Sequence, residues 1–211
     1  MEETALQRII RGRRSIRRFA PIPVDREKVL ACLEAARLAP SAHNAQPWRF
    51  LVVDDPNLRA KLAAAAFSGI FSSSKFAAAA PVIVIMLVVH DLVTNVIGTR
   101  LRKTPFHWID MGIAGEHIVL QAEELGLATC WIGWFHEKRL RKALKIPRRY
   151  RVAALMPIGY AEKRPTRSPQ KKSLEEIAWF NEIGGEGGGA QRVDYSGPVT
   201  AGRDDEGPKR A

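Results

Sequence analysis

Residues 39–50 read Ala39-Pro40-Ser41-Ala42-His43-Asn44-Ala45-Gln46-Pro47-Trp48-Arg49-Phe50. Pro40 ends the helix before it, and the polar run up to Pro47 reads as a loop. Trp48 to Val53 then reads as a strand, rich in aromatic and β-branched side chains. Upstream, Asp25 is placed to cap a helix whose apolar positions are Val29, Leu30, Leu33, Ala36 and Leu38. Before it, Ala20-Pro21-Ile22-Pro23 is forced into extended backbone. Further upstream, Arg13-Arg14-Ser15-Ile16-Arg17-Arg18-Phe19 packs four guanidiniums and a hydroxyl into seven residues. Arginine presents planar, permanently charged, bidentate donors suited to phosphate. Taken alone, the segment reads first as a solvated basic turn or an arm touching nucleic acid.

Downstream, Asp54-Asp55-Pro56 stops the strand and starts an alanine- and leucine-rich helix, with Pro56 at its first position. Ser68-Gly69 and Ser72-Ser73-Ser74 mark a loop. Val82 to Val89 is an unbroken apolar run, so both faces of that strand are buried under helices. Residues 90–107 are too polar for core and too short for a domain; they read as a small lid. Asp110 is expected to cap a long helix through Leu125, stopped by Gly126. Met111, Ala114, Ile118, Ala122 and Leu125 form one stripe, and Ile113 and Leu120 extend it to a second side. Gly112, Ala114 and Gly115 are read as room for another backbone, so this helix is central or lies in a subunit interface. Ala128 to Gly133 reads as a strand and turn, Glu137 to Leu144 as a short basic helix, and Arg151 to Tyr160 as a strand. Ser173-Leu174-Glu175-Glu176 is a capping box opening a last helix to about Ile183. From Gly184 the glycine content rises sharply, so we divide the chain into a domain, 1–183, and a Gly-rich tail or arm, 184–211.

The chain has 211 residues and a net charge of +11, with a pI near 10.1. The charge calls for an anionic partner: nucleic acid, a membrane surface or a phosphorylated small molecule. The basic residues are dispersed beside apolar sequence, which suits a folded domain with an anion site better than a basic tail. Two distant cysteines, Cys32 and Cys130, form neither a disulfide framework nor a metal pattern and read as buried thiols. The five histidines lack ligand spacing, so no metal is expected. No signal peptide or spanning segment is read, which points to a cytoplasmic protein. There is no G-x-G-x-x-G after a strand, no P-loop, no G-x-S-x-G and no H-E-x-x-H.

Five pieces, in order, resemble the FMN-dependent nitroreductase family across roughly residues 5–180. Arg13-Arg14-Ser15-Ile16-Arg17 is similar to its opening arginine–serine motif. Pro40-Ser41-Ala42-His43-Asn44-Ala45-Gln46-Pro47-Trp48 is similar to its P-S-x-x-N-x-Q-P-W loop. Asp110-Met111-Gly112-Ile113-Ala114 through Leu127, then Trp131-Ile132-Gly133, and finally Lys171-Lys172-Ser173-Leu174-Glu175-Glu176-Ile177 complete the set. The resemblance implies an α+β fold, a central mixed, mainly antiparallel sheet flanked by helices, in an intertwined homodimer with FMN at the subunit interface. It implies that Arg13 and Ser15, with Arg14 alongside and Lys171 or Lys172 from the C-terminal side, hold the FMN phosphate. It implies that Arg17 reaches the pyrimidine edge of the flavin, and that Pro40, Ser41 and Ala42 pack on it from the second subunit. Asn44 and Gln46 organise that loop, and Trp48 is core. Ile132 and Gly133 approach the flavin with a backbone N–H near N5.

The activity implied is NAD(P)H-dependent reduction of nitroaromatics, quinones or similar acceptors in two alternating half-reactions. No protein acid, base or nucleophile is required, because the flavin carries the chemistry. The alternatives are a specialised member of the family (dehalogenase, enone reductase or flavin-cleaving enzyme), a fold that binds a ligand without turnover, or a basic nucleic-acid-binding protein. The pair Lys171-Lys172 stands where arginine is common in the family.

Overall fold

The computed structural model describes residues 2–89, 105–167, 169–181 and 183. The lid read at 90–107 falls almost wholly outside the described residues, as does the tail 184–211. The described chain forms two units, one up to Pro165 and one beginning at Thr166.

In the first unit, helix α1 is Ala5–Gly12 and helix α2 is Arg26–Arg37. Strand β1, Trp48–Val53, leads into helix α3, Pro56–Ala66. Asp55 caps α3 through its side chain, which accepts from the Leu58 N–H at 2.7 Å. Asp25, by contrast, makes no side-chain cap on α2; its carbonyl accepts from the Lys28 and Val29 N–H groups instead. The loop expected at Ser68-Gly69 and Ser72-Ser73-Ser74 falls instead in 3-10 turns over Gly69–Ala79, with Ser74 and Ala77 drawn into the interior. Strand β2 is Val82–Val89, helix α4 Phe106–Glu124, strand β3 Ala128–Thr129, helix α5 Glu137–Ala143 and strand β4 Tyr150–Gly159.

The sheet order is β1-β2-β4-β3, and every pairing between these strands is antiparallel. The unbroken apolar run of β2 is explained by its central place. Val82, Val84, Met86 and Val88 point into a core shared with α2 and α4. Ile83, Ile85 and Leu87 point into a second core shared with α3 and α5. Each such aliphatic side chain, fully buried, stabilises the fold by about 1.5–3 kcal/mol. In β4 a register shift opposite Met86/Leu87 lets Val152 and Leu155 share one face although they stand three positions apart, an odd number.

Two further expectations are corrected here. Helix α4 begins at Phe106, so Asp110 lies inside its second turn and caps nothing. Gly115 admits side chains rather than backbone: a methyl placed there would meet the Trp131 ring and come within 2.6 Å of the Met86 methyl. Gly126 has a φ of 74° and ends α4 as expected. In the second unit, helix α6 is Leu174–Ile177, with the Ser173 N–H donating to the Glu176 carboxylate at 2.7 Å. It stops well short of Ile183, because Ala178 is extended and no residue of the helix is buried.

Candidate active site

The segment 15–20 is fastened to the edge of the sheet. The Ile16 N–H donates to the Thr129 carbonyl at 2.9 Å, and the Ala20 N–H to the Tyr160 carbonyl at 2.8 Å. Ser15 pairs with Thr129 in a parallel bridge, which makes the sheet mixed. Ile16 and Phe19 are buried with Ala80 and Ala128. Anchoring those two residues turns Ser15, Arg17 and Arg18 outward, and all three are exposed. Arg13 is half-buried. The Arg17 guanidinium carbon lies 6.0 Å from the centre of the Phe76 ring, in cation–π range.

Burial pushes the Cys130 thiol up, and the charges of Arg17 and Arg13 oppose that shift. Both guanidiniums therefore act on the same short stretch after β3. Arg14 is turned elsewhere: its Nη1 donates to the carbonyls of Arg11 (2.7 Å), Gly12 (3.3 Å) and Arg13 (2.9 Å). That geometry satisfies carbonyls at the C-terminal end of α1.

Residues 131–134 form the other wall. Ile132 is buried and exchanges both backbone hydrogen bonds with Leu155, each at 2.9 Å. Its N–H is therefore committed to the sheet. The next N–H, that of Gly133, donates to no group among the described residues. Gly133 is exposed, and nothing lies within 4 Å of where a Cβ would sit. Trp134 follows, held at both polar ends: its Nε1 donates to the Ile70 carbonyl at 2.9 Å, and its carbonyl accepts from Ser74 Oγ at 2.8 Å. The Phe71 ring is centred 5.0 Å from the Trp134 ring. Trp134 is nonetheless 55% exposed, so a rigid indole face is presented beside the open Gly133 N–H.

The loop 40–47 is ordered by its own side chains. Ser41 Oγ accepts from the Gln46 N–H at 3.0 Å, and Gln46 Nε2 donates to Asn44 Oδ1 at 3.0 Å. His43, Asn44 and Gln46 sit at φ of 53°, 53° and 45°. For residues other than glycine this left-handed backbone costs of order 1 kcal/mol or more each, and it persists only where surroundings impose it. Asp110 is part of that imposition: its Oδ1 accepts from the Ala42 N–H at 3.0 Å, and the residue is only 4% exposed. Pro40 is exposed, Ser41 and Ala42 half-buried and Trp48 buried. The structure thus fastens 40–46 to α4, whereas Arg13–Arg17 lies beside Thr129–Gly133.

Lys171 and Lys172 lie in the second unit, exposed, just before α6. Phe76, Trp134 and Asp110 are the residues that motif reading missed in these roles. For Trp134 the signal was present, a tryptophan directly after Gly133; for Phe76 and Asp110 nothing local announced it.

Comparison with known proteins shows the family. A sequence model of the nitroreductase family matches residues 10–160. The chain belongs to the nitroreductase family. As a member of it, the protein is an oxidoreductase. Among its relatives is a protein of Archaeoglobus fulgidus provisionally named NADH dehydrogenase/NAD(P)H nitroreductase, 33% identical over 159 residues, which are 72% of this chain and 83% of that one. The solved FMN-dependent nitroreductase of Clostridium difficile R20291 superposes with a TM-score of 0.67 at 29% identity, covering 83% of this chain and 98% of its own. A shorter match joins this nitroreductase-family chain to the 5,6-dimethylbenzimidazole synthase of Rhodobacter capsulatus, 48% identical over 61 residues, 28% of this chain and 29% of that one. Among the described residues no helix is long and apolar enough to cross a membrane.

Proposed function

We propose that this nitroreductase-family protein holds FMN, takes reducing equivalents from NAD(P)H, and passes them to nitroaromatic, quinone or similar small acceptors. The observation that carries the reading is the placing of Arg13, Ser15 and Arg17 and of the Gly133 N–H, which has no acceptor among the described residues, on either side of the Ile16–Thr129 hydrogen bond. The residues fit FMN: its phosphate calls for charge-assisted donors, and Arg13 and the Ser15 hydroxyl supply them. A flavin edge calls for close backbone approach, and Gly133 leaves that space open. Bound FMN supplies hydride and electron transfer at N5, serving donor and acceptor in turn.

The protein's own contribution is binding and electrostatics. Arg17, braced over Phe76, would offer the bound flavin a permanent positive charge that favours its negatively charged reduced form. Gly133 offers one backbone donor. Trp134, fixed by Ser74 and the Ile70 carbonyl, offers a flat apolar wall for an aromatic acceptor. Arg14 serves the end of α1 and is not among the donors we assign to phosphate.

Homodimerisation belongs to the same reading. The loop 40–46 is held against α4, and Leu6, Ile10 and Ile109 are exposed. A cavity of about 350 Å³ lined by Leu6, Ile9, Ala35, His117 and Leu120 opens among α1, α2 and α4. A second copy would cover such a face and could take Pro40–Ala42 into its own site. Operation in the cytoplasm completes the proposal.

The test is the visible absorption spectrum of freshly purified full-length protein, with heat release of any chromophore. An oxidised-flavin spectrum, FMN in the supernatant and bleaching by NAD(P)H are expected. Colourless protein that takes up no added FMN overturns the reading. A second reading, oxidative cleavage of the flavin itself, is favoured by the segment shared with the 5,6-dimethylbenzimidazole synthase. Loss of FMN from aerobic mixtures with NAD(P)H, in place of catalytic turnover, selects it.

A further inference from the structure

Residues 137–151 read Glu137-Lys138-Arg139-Leu140-Arg141-Lys142-Ala143-Leu144-Lys145-Ile146-Pro147-Arg148-Arg149-Tyr150-Arg151. They hold eight basic side chains against one carboxylate, a net +7 within a chain of net +11. The fold makes this segment concave. Helix α5 and the turn into β4 border a cavity of about 760 Å³ whose charged lining includes Lys138, Arg141, Lys142, Arg148 and Arg151. Ile146, itself buried, adds an apolar patch to the lining. A volume of this size is typical of small-molecule sites, roughly 300–1,000 Å³.

The single carboxylate there is already engaged. Glu137 lies 3.8 Å from Arg141, and its Oε1 accepts from the Val152 N–H at 3.4 Å. Two of the guanidiniums are held in place. Arg141 Nη2 donates to the Pro147 carbonyl at 3.0 Å, and the Arg151 guanidinium carbon sits 5.7 Å from the centre of the Trp108 ring. Lys138, Lys142 and Arg148 have no anionic partner among the described residues. Uncompensated like charges around one concavity repel each other. They are tolerated, and become useful, where an anion neutralises several at once.

We propose that this cavity is a second binding site, for a compact polyphosphate anion such as the di- or triphosphate of a nucleotide. The cations converge on one hollow from a helix and a turn, whereas a nucleic-acid strand needs them spread along a groove that tracks its backbone. None of the lining residues belongs to the proposed flavin site, so the two proposals stand or fall separately. A free nucleotide and the phosphates of a dinucleotide co-substrate share the chemistry recognised.

The experiment is calorimetric titration of the full chain with inorganic tripolyphosphate at low salt. It compares the wild type with Lys142→Ala/Arg148→Ala and with the charge-matched pair Arg26→Ala/Lys61→Ala. All four substituted positions are exposed, and a thermal melt checks each fold. Lys142→Gln/Arg148→Gln replaces the first pair if that pair melts early. Saturable binding is expected, weakened about tenfold or more in the cavity variant, with a shallower salt dependence, and within about twofold of wild type in the control. Displacement of tripolyphosphate by NADP⁺ identifies the dinucleotide as the source; failure to displace assigns the site to a free polyphosphate, and either supports the site. Absence of saturable binding, equal weakening in both variants, or tighter binding of a single-stranded oligonucleotide than of tripolyphosphate overturns it.

Discussion

Gly115→Ala tests whether the wall that carries Gly133 is braced by α4. In the structure a Cβ on Gly115 would overlap the Trp131 ring and approach the Met86 methyl to 2.6 Å. Met86 ends in a flexible methyl and can yield. The main chain that carries the indole cannot retreat, because the next residue, Ile132, is locked to Leu155 by two backbone hydrogen bonds, so the ring must leave its rotamer to make room. Overpacking of this kind costs about 1–3 kcal/mol. For a chain of this size each kcal/mol lowers Tm by about 2–4 °C, so a fall of about 2–12 °C is expected. The assay is thermal and urea unfolding of the variant in wild-type and Trp131→Ala backgrounds. Without the indole the closest contact of the added methyl is the flexible Met86 methyl, and replacing a helical glycine by alanine favours the helix by about 1 kcal/mol. The substitution should then be neutral or stabilising, a coupling of about 1–3 kcal/mol in the double-mutant cycle. The same destabilisation in both backgrounds would refute the proposed contact as its cause.

Asp110→Ala removes the acceptor of the Ala42 N–H from a buried position and should destabilise the protein by about 1.5–3 kcal/mol. Limited proteolysis should then cut within 40–47 sooner than in wild type, and an unchanged cleavage pattern tells against Asp110 as the loop's clamp. Arg17→Ala should slow NAD(P)H-dependent flavin reduction in stopped flow more than it weakens FMN retention; an unchanged reduction rate sinks the assigned role. The Cys32 thiol is pushed up to about 11 by burial, above an ordinary value of 9.0. Its folded-state pKa is raised, so its contribution to stability is complete below about pH 9 and is lost as pH rises toward about 11, by at most about 1.4 kcal/mol per pH unit. The stability difference between wild type and Cys32→Ala in urea melts should therefore shrink from about pH 8 to about pH 10.5, and a constant difference excludes Cys32 as the titrating group.

Much of the framework could be read without coordinates, because its signals are local. Pro56 behind Asp55, Gly126 after the long helix and the unbroken apolar run 82–89 each state a backbone preference or a burial pattern within a few residues. The loop 40–47 was legible through the family resemblance, which implied that Asn44 and Gln46 organise it, and their side chains do bond within it. Where the reading slipped, it trusted a local rule that a longer-range contact overrode. Asp110 looks like a helix cap, but α4 starts a turn earlier and the carboxylate is drawn to Ala42. The serines at 72–74 look like a loop, but Ser74 is buried by its bond to Trp134.

The sequence by itself determined a mixture of helices and strands with arginines and a serine near the N-terminus, a polar loop before a strand, and an excess of positive charge. Those features follow from residue type and short spacing, which act before the chain folds. Only the tertiary structure decided which members of the arginine cluster face outward and which serve a helix end. Only it showed that the N–H of Gly133, and not that of Ile132, finds no acceptor among the described residues. It also bent the basic stretch 138–151 around one hollow. The first two are outcomes of pairing between segments distant in the chain, where burial of Ile16 and Ile132 fixes the direction of their polar neighbours, and no local pattern encodes that direction.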